Sequence, residues 1–412
     1  MRVLELGLKG AQKFCGLMDM PAFFHQSTYD MIVKYMHECI KTIAEILFKK
    51  TVKEEVAKTC KAKNLDKITK LTVSGDGTWK KLGFSSLFGV SSIIGYYTGK
   101  VIVKSSYCKL CEYWSKKKGS EEYEEWLSTH TDECHANHQG SSGKMKVDAI
   151  LEMFQRSEKI YDIKYTNYIG DDDSKTYKGI INAAPYGDIP IIKKECIGYV
   201  QKRMGSRLRE CKKETKGLGG KGKLTTKMID KLTVYYGLAI QRHCESVKDM
   251  YNAIWVTYDH YSSTDEKPCH SRCPTGVESW CTWQRASAKG ELALFKHDYK
   301  LLPPDVLTAI KPIYEDLSKS TLLERCLGGF NQNNNESYNQ LIWKISPKII
   351  PSGSIIVELA AYIAACVFNE GSITLLQMLQ SIGITWFGMA MVTAKRVLKN
   401  SFMDIVYNFF IY

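Results

Sequence analysis

Features that define several protein classes are missing from this sequence. The first ten residues already carry charges and hold no clean apolar segment, which argues against a signal peptide. Fourteen cysteines in 412 residues are too few for a disulfide scaffold. We therefore expect reduced thiols in a cytosolic or nuclear protein, and we interpret clustered cysteines as candidate metal ligands.

The sequence also lacks a continuous apolar run long enough to span a membrane. Residues 371–394 contain no charge, but two glutamines, several hydroxyl side chains and three glycines interrupt them. A spanning helix needs about 20 predominantly apolar residues. We predict buried helices here and no membrane partner; the weaker alternative is an anchor through residues 354–394.

The remaining composition is that of a globular protein with an excess of positive charge. Hydrophobic residues make up 44% and charged residues 25% of the chain. Its length exceeds the roughly 250–300 residues at which a single core stops growing. The net charge of +13 indicates a polyanionic partner and says nothing about the fold.

The order of hydrophobic patterns predicts an α/β protein. Apolar residues at helical spacing predict a helix over Tyr29–Lys50. Residues 68–107 predict three strands, with a hairpin at Thr98-Gly99. A helix, a strand over 160–170, another helix and a strand over 188–195 follow, and Pro190 places the last strand at an edge. This order predicts a mixed sheet with helical crossovers; the later part is mainly helical, and we find no internal repeat.

Three acidic residues lie at the ends of predicted strands or at a helix start, where their carboxylates could take part in catalysis. Asp76 occurs in SGDGTW at the end of the first predicted strand, Asp171 in IGDDDSK after the fourth, and Glu336 in NNNESYNQLIW at a helix start. Hard divalent cations favour carboxylate oxygens, and two such ions can catalyse phosphoryl transfer. The alternative is structural, because Asp and Gly favour turns, and Asn and Glu favour helix N-termini.

The three strings, in this order, resemble the catalytic motifs of Mutator-like transposases. Family members place an aspartate before a Thr-aromatic pair, which matches Asp76, and a second in a D-x-D-type string, which matches Asp171 with Asp173 close behind. The third acid begins a helix in an N-x-x-E-S-x-N-type string, which matches Glu336. The resemblance covers residues 68–370. Position 172 departs from the pattern, because it is Asp where a small residue is expected.

The resemblance implies an RNase H-like core with a mixed five-stranded sheet, flanking helices and a large helical insertion before the last acid. Asp76, Asp171 and Glu336 would be the catalytic triad holding two Mg²⁺ or Mn²⁺ ions, with Asp173 as an alternative second acid. The implied activity is phosphodiester cleavage and strand transfer on double-stranded DNA, at transposon ends and target, by a nuclear homo-oligomer. The alternative is a domesticated, catalytically silent zinc- and DNA-binding protein derived from a transposase.

The same reasoning predicts four segments. Residues 1–65 form an N-terminal helical segment, and 66–196 form the first part of the core, with a zinc-binding insertion at about 108–138. Residues 197–325 form a mainly helical insertion with a Cys/His cluster. Residues 326–412 are C-terminal helices that complete the core.

Two Cys/His clusters predict structural zinc. The first has two short-spaced pairs, which suit a tetrahedral ion: Cys108, Cys111, His130 and Cys134. The second set comprises Cys269, His270, Cys273 and Cys281, with His243, Cys244 and His260 upstream, and its exact ligands stay open. A redox pair at Cys108-x₂-Cys111, or cysteines buried for packing alone, are the alternatives.

Most of the net positive charge lies in one stretch: residues 202–227 contain ten Lys or Arg and two Glu, a local +8 of the chain's +13. This stretch consists of a helix with one apolar face and a flexible segment rich in glycine and lysine. Counterion release makes such a surface a natural binder of the phosphate backbone, and a solvated helix face is the alternative. The predicted DNA contacts are Lys202, Arg203, Arg207, Arg209, Lys212 and Lys213.

Overall fold

The predicted strands form one sheet in the computed structural model, which describes residues 25–81, 86–108, 119–123, 137–170, 174–297, 301–350 and 352–383. The five strands are β1 Lys70–Trp79, β2 Phe88–Gly95, β3 Val101–Cys108, β4 Lys164–Gly170 and β5 Ile192–Glu195. Their order is β3-β2-β1-β4-β5. The α/β class and the mixed five-stranded sheet are therefore confirmed, and β5 lies at an edge, as Pro190 predicts.

The first three strands form an antiparallel meander. In β1 and β2, Asp76 pairs with Ser92, and β2 pairs with β3 through the predicted hairpin. The hairpin turn is held by the buried Glu55 carboxylate, which accepts from the backbone N–H groups of Tyr97 at 2.9 Å and Thr98 at 2.7 Å. Partly buried backbone donors are thereby satisfied where the β2–β3 strand pairing ends.

Helices cover both faces of this sheet. They are α1 Gln26–Lys63, α2 Ser142–Tyr161, α3 Ser174–Ala183, α10 Asn333–Ile345, α11 Ser354–Glu370 and α12 Ile373–Ser381. Leu71 and Val73 of β1 pack with α2 in one apolar core. Val90 and Ile94 of β2 pack with α1, α10 and α11 in the core on the other side. Because side chains alternate along a strand, the even-numbered residues at the end of β1 face α10.

The chain divides into two compact units. The first takes its described residues from 1–168, 173–192 and 333–412, and the second from 169–172 and 193–332. The helices of the second unit are α4 Ile197–Glu214, α5 Thr226–Arg242, α6 Val247–Ser262, α7 Thr282–Lys289, α8 Pro304–Leu317 and α9 Ser320–Cys326. Their buried faces form a separate apolar core.

As far as the structure describes it, the uncharged C-terminal stretch forms a helix with one buried face. In α12, Thr374, Leu375, Leu376, Met378 and Leu379 are buried, as predicted for this segment. Residues 384–412 lie outside the described residues. Among the described helices, none has the length and apolar character that crossing a bilayer requires.

Candidate active site and candidate metal centre

The Asp76 carboxylate lies within β1, the central strand of the sheet. GDGT is part of this strand, so its interpretation as a turn is wrong. The Asp76 side chain is 16% exposed, and its Oδ1 lies 3.2 Å from the Nζ of Lys146 in α2. The Nδ2 of Asn339 in α10 donates to Oδ2 at 2.9 Å. Asp76 is thus a partly buried carboxylate with a positive charge and an amide donor beside it.

Three hydrogen bonds fix α10 along β1. The Ser74 hydroxyl donates to Asn335 Oδ1 at 2.6 Å, and Asn339 donates to Asp76 four residues further along the helix. The Trp343 Nε1 then donates to Thr78 Oγ1 at 2.7 Å. Two residues of a strand span about 6.6 Å and four residues of a helix span about 6 Å. The bonded positions on β1 and α10 therefore stay aligned over all three hydrogen bonds.

This register brings the helix start that carries Glu336 to the strand that carries Asp76. Glu336 follows the buried Asn335 and precedes Asn339 by three residues, and side chains three apart are neighbours on a helix surface. Glu336 itself is exposed. Two of the three predicted acids, Asp76 and Glu336, therefore lie on a strand and a helix that are joined by a hydrogen bond to the Asp76 carboxylate.

The two glycines beside Asp76 are required by close contacts. A Cβ at Gly75 would lie 2.6 Å from the ring of Tyr168, and one at Gly77 would lie 2.9 Å from Ser91 Oγ and 3.1 Å from Lys146 Cγ. All three distances are below ordinary van der Waals contact. The GDG sequence therefore reflects the packing of α2 and β4 against this end of β1.

The second predicted acid lies outside the described residues. β4 ends at Gly170 and α3 begins at Ser174, which agrees with the predicted strand, acidic string and helix. Asp171 and its alternative, Asp173, fall between them and stay predictions.

Two imidazoles and two thiols meet in the second unit. His260 lies in the last turn of α6, His270 and Cys273 lie in the connection that follows, and Cys281 caps α7. Their ligand atoms all lie within 4.8 Å of one another, and His270, Cys273 and Cys281 are buried. Three of these residues belong to the set named from the sequence. The fourth predicted residue, Cys269, lies outside this group.

The distances in this cluster match the edges of a tetrahedral metal site. His260 Nδ1 lies 3.9 Å from both sulfurs. His270 Nδ1 lies 3.7 Å from Cys273 Sγ and 3.5 Å from Cys281 Sγ. Zinc bonds of about 2.3 Å to sulfur and about 2.0–2.1 Å to nitrogen give an edge of about 3.6 Å. The four side chains therefore fit zinc.

Burial also sets the protonation of the cluster. Burial, with smaller contributions from the His260 and His297 imidazoles, lowers the pKa of His270 to about 4. Burial, followed by the neighbouring Cys281 thiol, raises the pKa of Cys273 well above its usual value. The His270 imidazole is thus neutral and ready to bind a metal at neutral pH, whereas the Cys273 thiol has to lose a proton on binding.

A polar chain that the sequence did not reveal orients His270. Ser263 Oγ lies 2.8 Å from His270 Nε2 and 2.9 Å from His297 Nε2, and His297 Nδ1 contacts Asp265. Such partners on the outer nitrogen fix which ring nitrogen faces the metal. Since His297 is separated from the other residues in sequence and has no motif spacing, no local pattern could have found it.

The first Cys/His cluster cannot be placed. Cys111, His130 and Cys134 lie outside the described residues, and of Cys108 only the backbone, at the end of β3, is described. This zinc prediction stays open.

The basic stretch begins on α4, whose predicted apolar face is buried. Three of its arginines are already paired with acids: Arg203 with Glu195 at 2.7 Å, Arg207 with Asp316, and Arg209 with Asp230 at 2.8 Å. Among the described residues, five exposed lysines of the stretch pair with no carboxylate: Lys202, Lys213, Lys216, Lys221 and Lys227. Lys212 is partly buried. The charge open to a partner is therefore carried by lysines more than by arginines.

Comparison with known proteins identifies the family. No curated protein and no solved structure matches the chain. The family model of the Mutator-like transposases matches residues 1–281, a range that contains Asp76, Asp171 and both Cys/His clusters. Glu336 lies beyond it. The match covers more than half of the sequence, and the chain belongs to the Mutator-like transposase family.

Proposed function

We propose that this protein is a DDE-type DNA transposase that cleaves phosphodiester bonds and transfers DNA strands. The observation that carries the proposal is the hydrogen bond from Asn339 to Asp76, because it joins the strand with the first acid to the helix with the third. Family membership supports DNA as the substrate. Asp171, or Asp173 in its place, completes the proposed triad with Asp76 and Glu336.

Carboxylate oxygens on a partly buried strand suit hard divalent ions such as Mg²⁺ or Mn²⁺. Two such ions, when bound, would activate the attacking oxygen and stabilise the leaving oxygen of a phosphodiester. The role of this chain is to place the carboxylates. The hydrogen bonds of Ser74, Asp76 and Thr78 with α10 hold the Glu336 helix at a fixed register on β1.

The experiment is a plasmid-nicking assay in Mg²⁺ or Mn²⁺. Wild type is expected to nick supercoiled DNA only with a divalent ion, and Asp76→Asn is expected to lose this activity. Asp66→Asn is the matched control, because Asp66 is an exposed carboxylate just before β1. Equal nicking by wild type and Asp76→Asn would contradict the triad. A wild type that binds DNA and never cleaves it would favour the catalytically silent, transposase-derived alternative.

We further propose that the cluster of His260, His270, Cys273 and Cys281 binds structural zinc. The match of its distances to a tetrahedral site supports this ligand set, in which His260 takes the place given to Cys269 by the sequence. Bound zinc would tie α6 to α7 across a connection with few apolar residues. The set of Cys108, Cys111, His130 and Cys134 remains a second proposed zinc site.

The exposed lysines of residues 202–227 are proposed to contact the DNA backbone. Charge reversal at Lys213 and Lys216 is expected to weaken DNA binding and to flatten its dependence on salt, since fewer counterions are released. Arg209→Gln is the matched control, because Arg209 is already paired with Asp230. An equal loss in both variants would contradict the assignment to the lysines. Nuclear localisation and a homo-oligomeric assembly are proposed from the family alone.

A further inference from the structure

Lys146 is a buried lysine in contact with the proposed acid site, and no sequence motif assigns it a role. It lies in the first turns of α2, its side chain is 3% exposed, and its Nζ lies 3.2 Å from Asp76 Oδ1. Lysine is almost never fully buried unless it is paired. The carboxylate of Asp76 is such a partner.

The path of this side chain depends on Gly77. A Cβ at position 77 would lie 3.1 Å from Lys146 Cγ and 3.3 Å from its Cβ. Since side chains alternate along a strand, position 77 and Asp76 face opposite sides of the sheet. The Lys146 side chain therefore passes the bare backbone of Gly77 on the α2 side before its ammonium reaches Asp76.

Asp76 is thus held at both oxygens, by Lys146 at Oδ1 and by Asn339 at Oδ2. The ammonium at Oδ1 has the same sign of charge as a divalent ion that this carboxylate would bind. Two cations at one carboxylate oxygen repel each other strongly in a partly buried site. A divalent ion at Oδ1 therefore competes with the ammonium for this oxygen.

We propose that Lys146 is a positioning residue that occupies the ion-binding side of Asp76 in the metal-free protein and leaves Oδ1 when a divalent ion binds. This inference rests on the proposed function, because it takes Asp76 as a metal ligand. Lys146 holds the carboxylate in its orientation on β1 before metal arrives. It also raises the ion concentration at which the acid site fills.

The test is a titration with Mn²⁺, in which free Mn²⁺ is measured by electron paramagnetic resonance. Binding that disappears in Asp76→Asn defines the acid site. At that site, Lys146→Met is expected to bind Mn²⁺ about tenfold more tightly than wild type, which is about 1.4 kcal/mol. Lys146→Arg keeps the charge and is expected to bind as wild type does.

Lys144→Met is the matched control on the same helix, because Lys144 is exposed and pairs with Asp148 at 3.8 Å. Its Mn²⁺ affinity is expected to equal that of wild type. In the metal-free state, Lys146→Met is expected to melt at a lower temperature than Lys144→Met. Saturating Mn²⁺ is expected to reduce this difference in melting temperature. A merely structural ion pair would change the melting temperature without changing the Mn²⁺ affinity.

Equal affinity of wild type and Lys146→Met at the acid site would overturn the role of Lys146 and leave the proposed function standing. Mn²⁺ binding that is the same in wild type and Asp76→Asn would instead contradict the acid site itself. If Lys146→Met fails to fold, the inference is tested by chemical acetylation of Lys146 in wild type, which is measured by peptide mass spectrometry. Labelling is expected to rise when Mg²⁺ is added, and unchanged labelling would overturn the inference.

Discussion

Replacing Cys281 by serine is expected to remove one zinc ion per chain, whereas replacing Cys269 is expected to remove none. Cys281 is fully buried, and its sulfur lies 3.5 Å from His270 Nδ1 and 3.9 Å from His260 Nδ1. Cys269 is partly exposed, and its backbone N–H donates to Ser263 Oγ at 2.9 Å. The two substitutions are chemically identical, but only Cys281 belongs to the group of four ligand atoms.

The size of the effect follows from the ligand count. Altering an outer partner of a metal ligand costs about 10–100-fold in affinity, and losing one of four direct ligands costs at least the upper end of that range. A 100-fold loss is about 2.7 kcal/mol. Free zinc at 100 times the dissociation constant stabilises wild type by about the same amount. Zinc is therefore expected to raise the melting temperature of wild type and Cys269→Ser, and to leave Cys281→Ser nearly unchanged.

The assay combines metal analysis of the purified proteins with thermal melts in zinc and in chelator. The zinc contents of the two variants are compared with each other, because an ion at the first Cys/His cluster would contribute equally to both. The ligand assignment is refuted if Cys281→Ser keeps the zinc content of wild type. It is also refuted if Cys269→Ser loses the ion.

The register of α10 on β1 and the thiol protons of the proposed zinc ligands give two further predictions. Asn339→Leu is expected to lower the free energy of unfolding by about 2 kcal/mol in urea denaturation, because it removes a hydrogen bond to a charged group. Trp343→Phe removes a neutral hydrogen bond and is expected to cost about 1 kcal/mol, whereas Leu at the exposed Gln340 is expected to change little; equal effects of all three would contradict the register. Zinc affinity is expected to fall about tenfold per pH unit on acidification for each thiol proton released, since burial keeps Cys273 protonated without metal. Competition with a zinc-binding dye at several pH values measures this slope, and a flat profile between pH 6 and 8 would exclude a protonated thiol.

The sheet could be predicted from the sequence because its signals are local. β-rich runs, the Thr98-Gly99 turn and Pro190 predicted the five strands and the edge position of β5, with ends shifted by a few residues. Asp76 was identified correctly as a strand residue, although the strand continues to Trp79. These features depend on neighbours within a few positions along the chain.

The side chains around Asp76 could not be predicted, because their partners are distant in sequence. Lys146 follows the buried Met145 in α2, and from sequence alone a lysine is normally assigned to solvent. Its burial depends on Gly77 and Asp76, which are on another element. Asn339 was part of a motif string, but its bond to Asp76 follows only from the register of α10 on β1.

The predicted metal ligands and DNA contacts show the same limit. The sequence named Cys269 with His270, Cys273 and Cys281, but the group of ligand atoms in the structure includes His260 from α6 and not Cys269. Charge counting likewise treated Arg207 as open to DNA, whereas its guanidinium pairs with Asp316 on α8. Sequence reasoning indicated candidate regions, and the pairing of individual side chains within them depends on tertiary contacts.

The central claim is that Asp76 holds a catalytic divalent ion, and a change of metal preference tests it most directly. Asp76→Cys replaces a hard oxygen ligand by a softer sulfur, which favours Mn²⁺ over Mg²⁺. In plasmid nicking, this variant is expected to be inactive with Mg²⁺ and to recover part of its activity with Mn²⁺. Activity of Asp76→Cys with Mg²⁺ equal to that of wild type would contradict the claim.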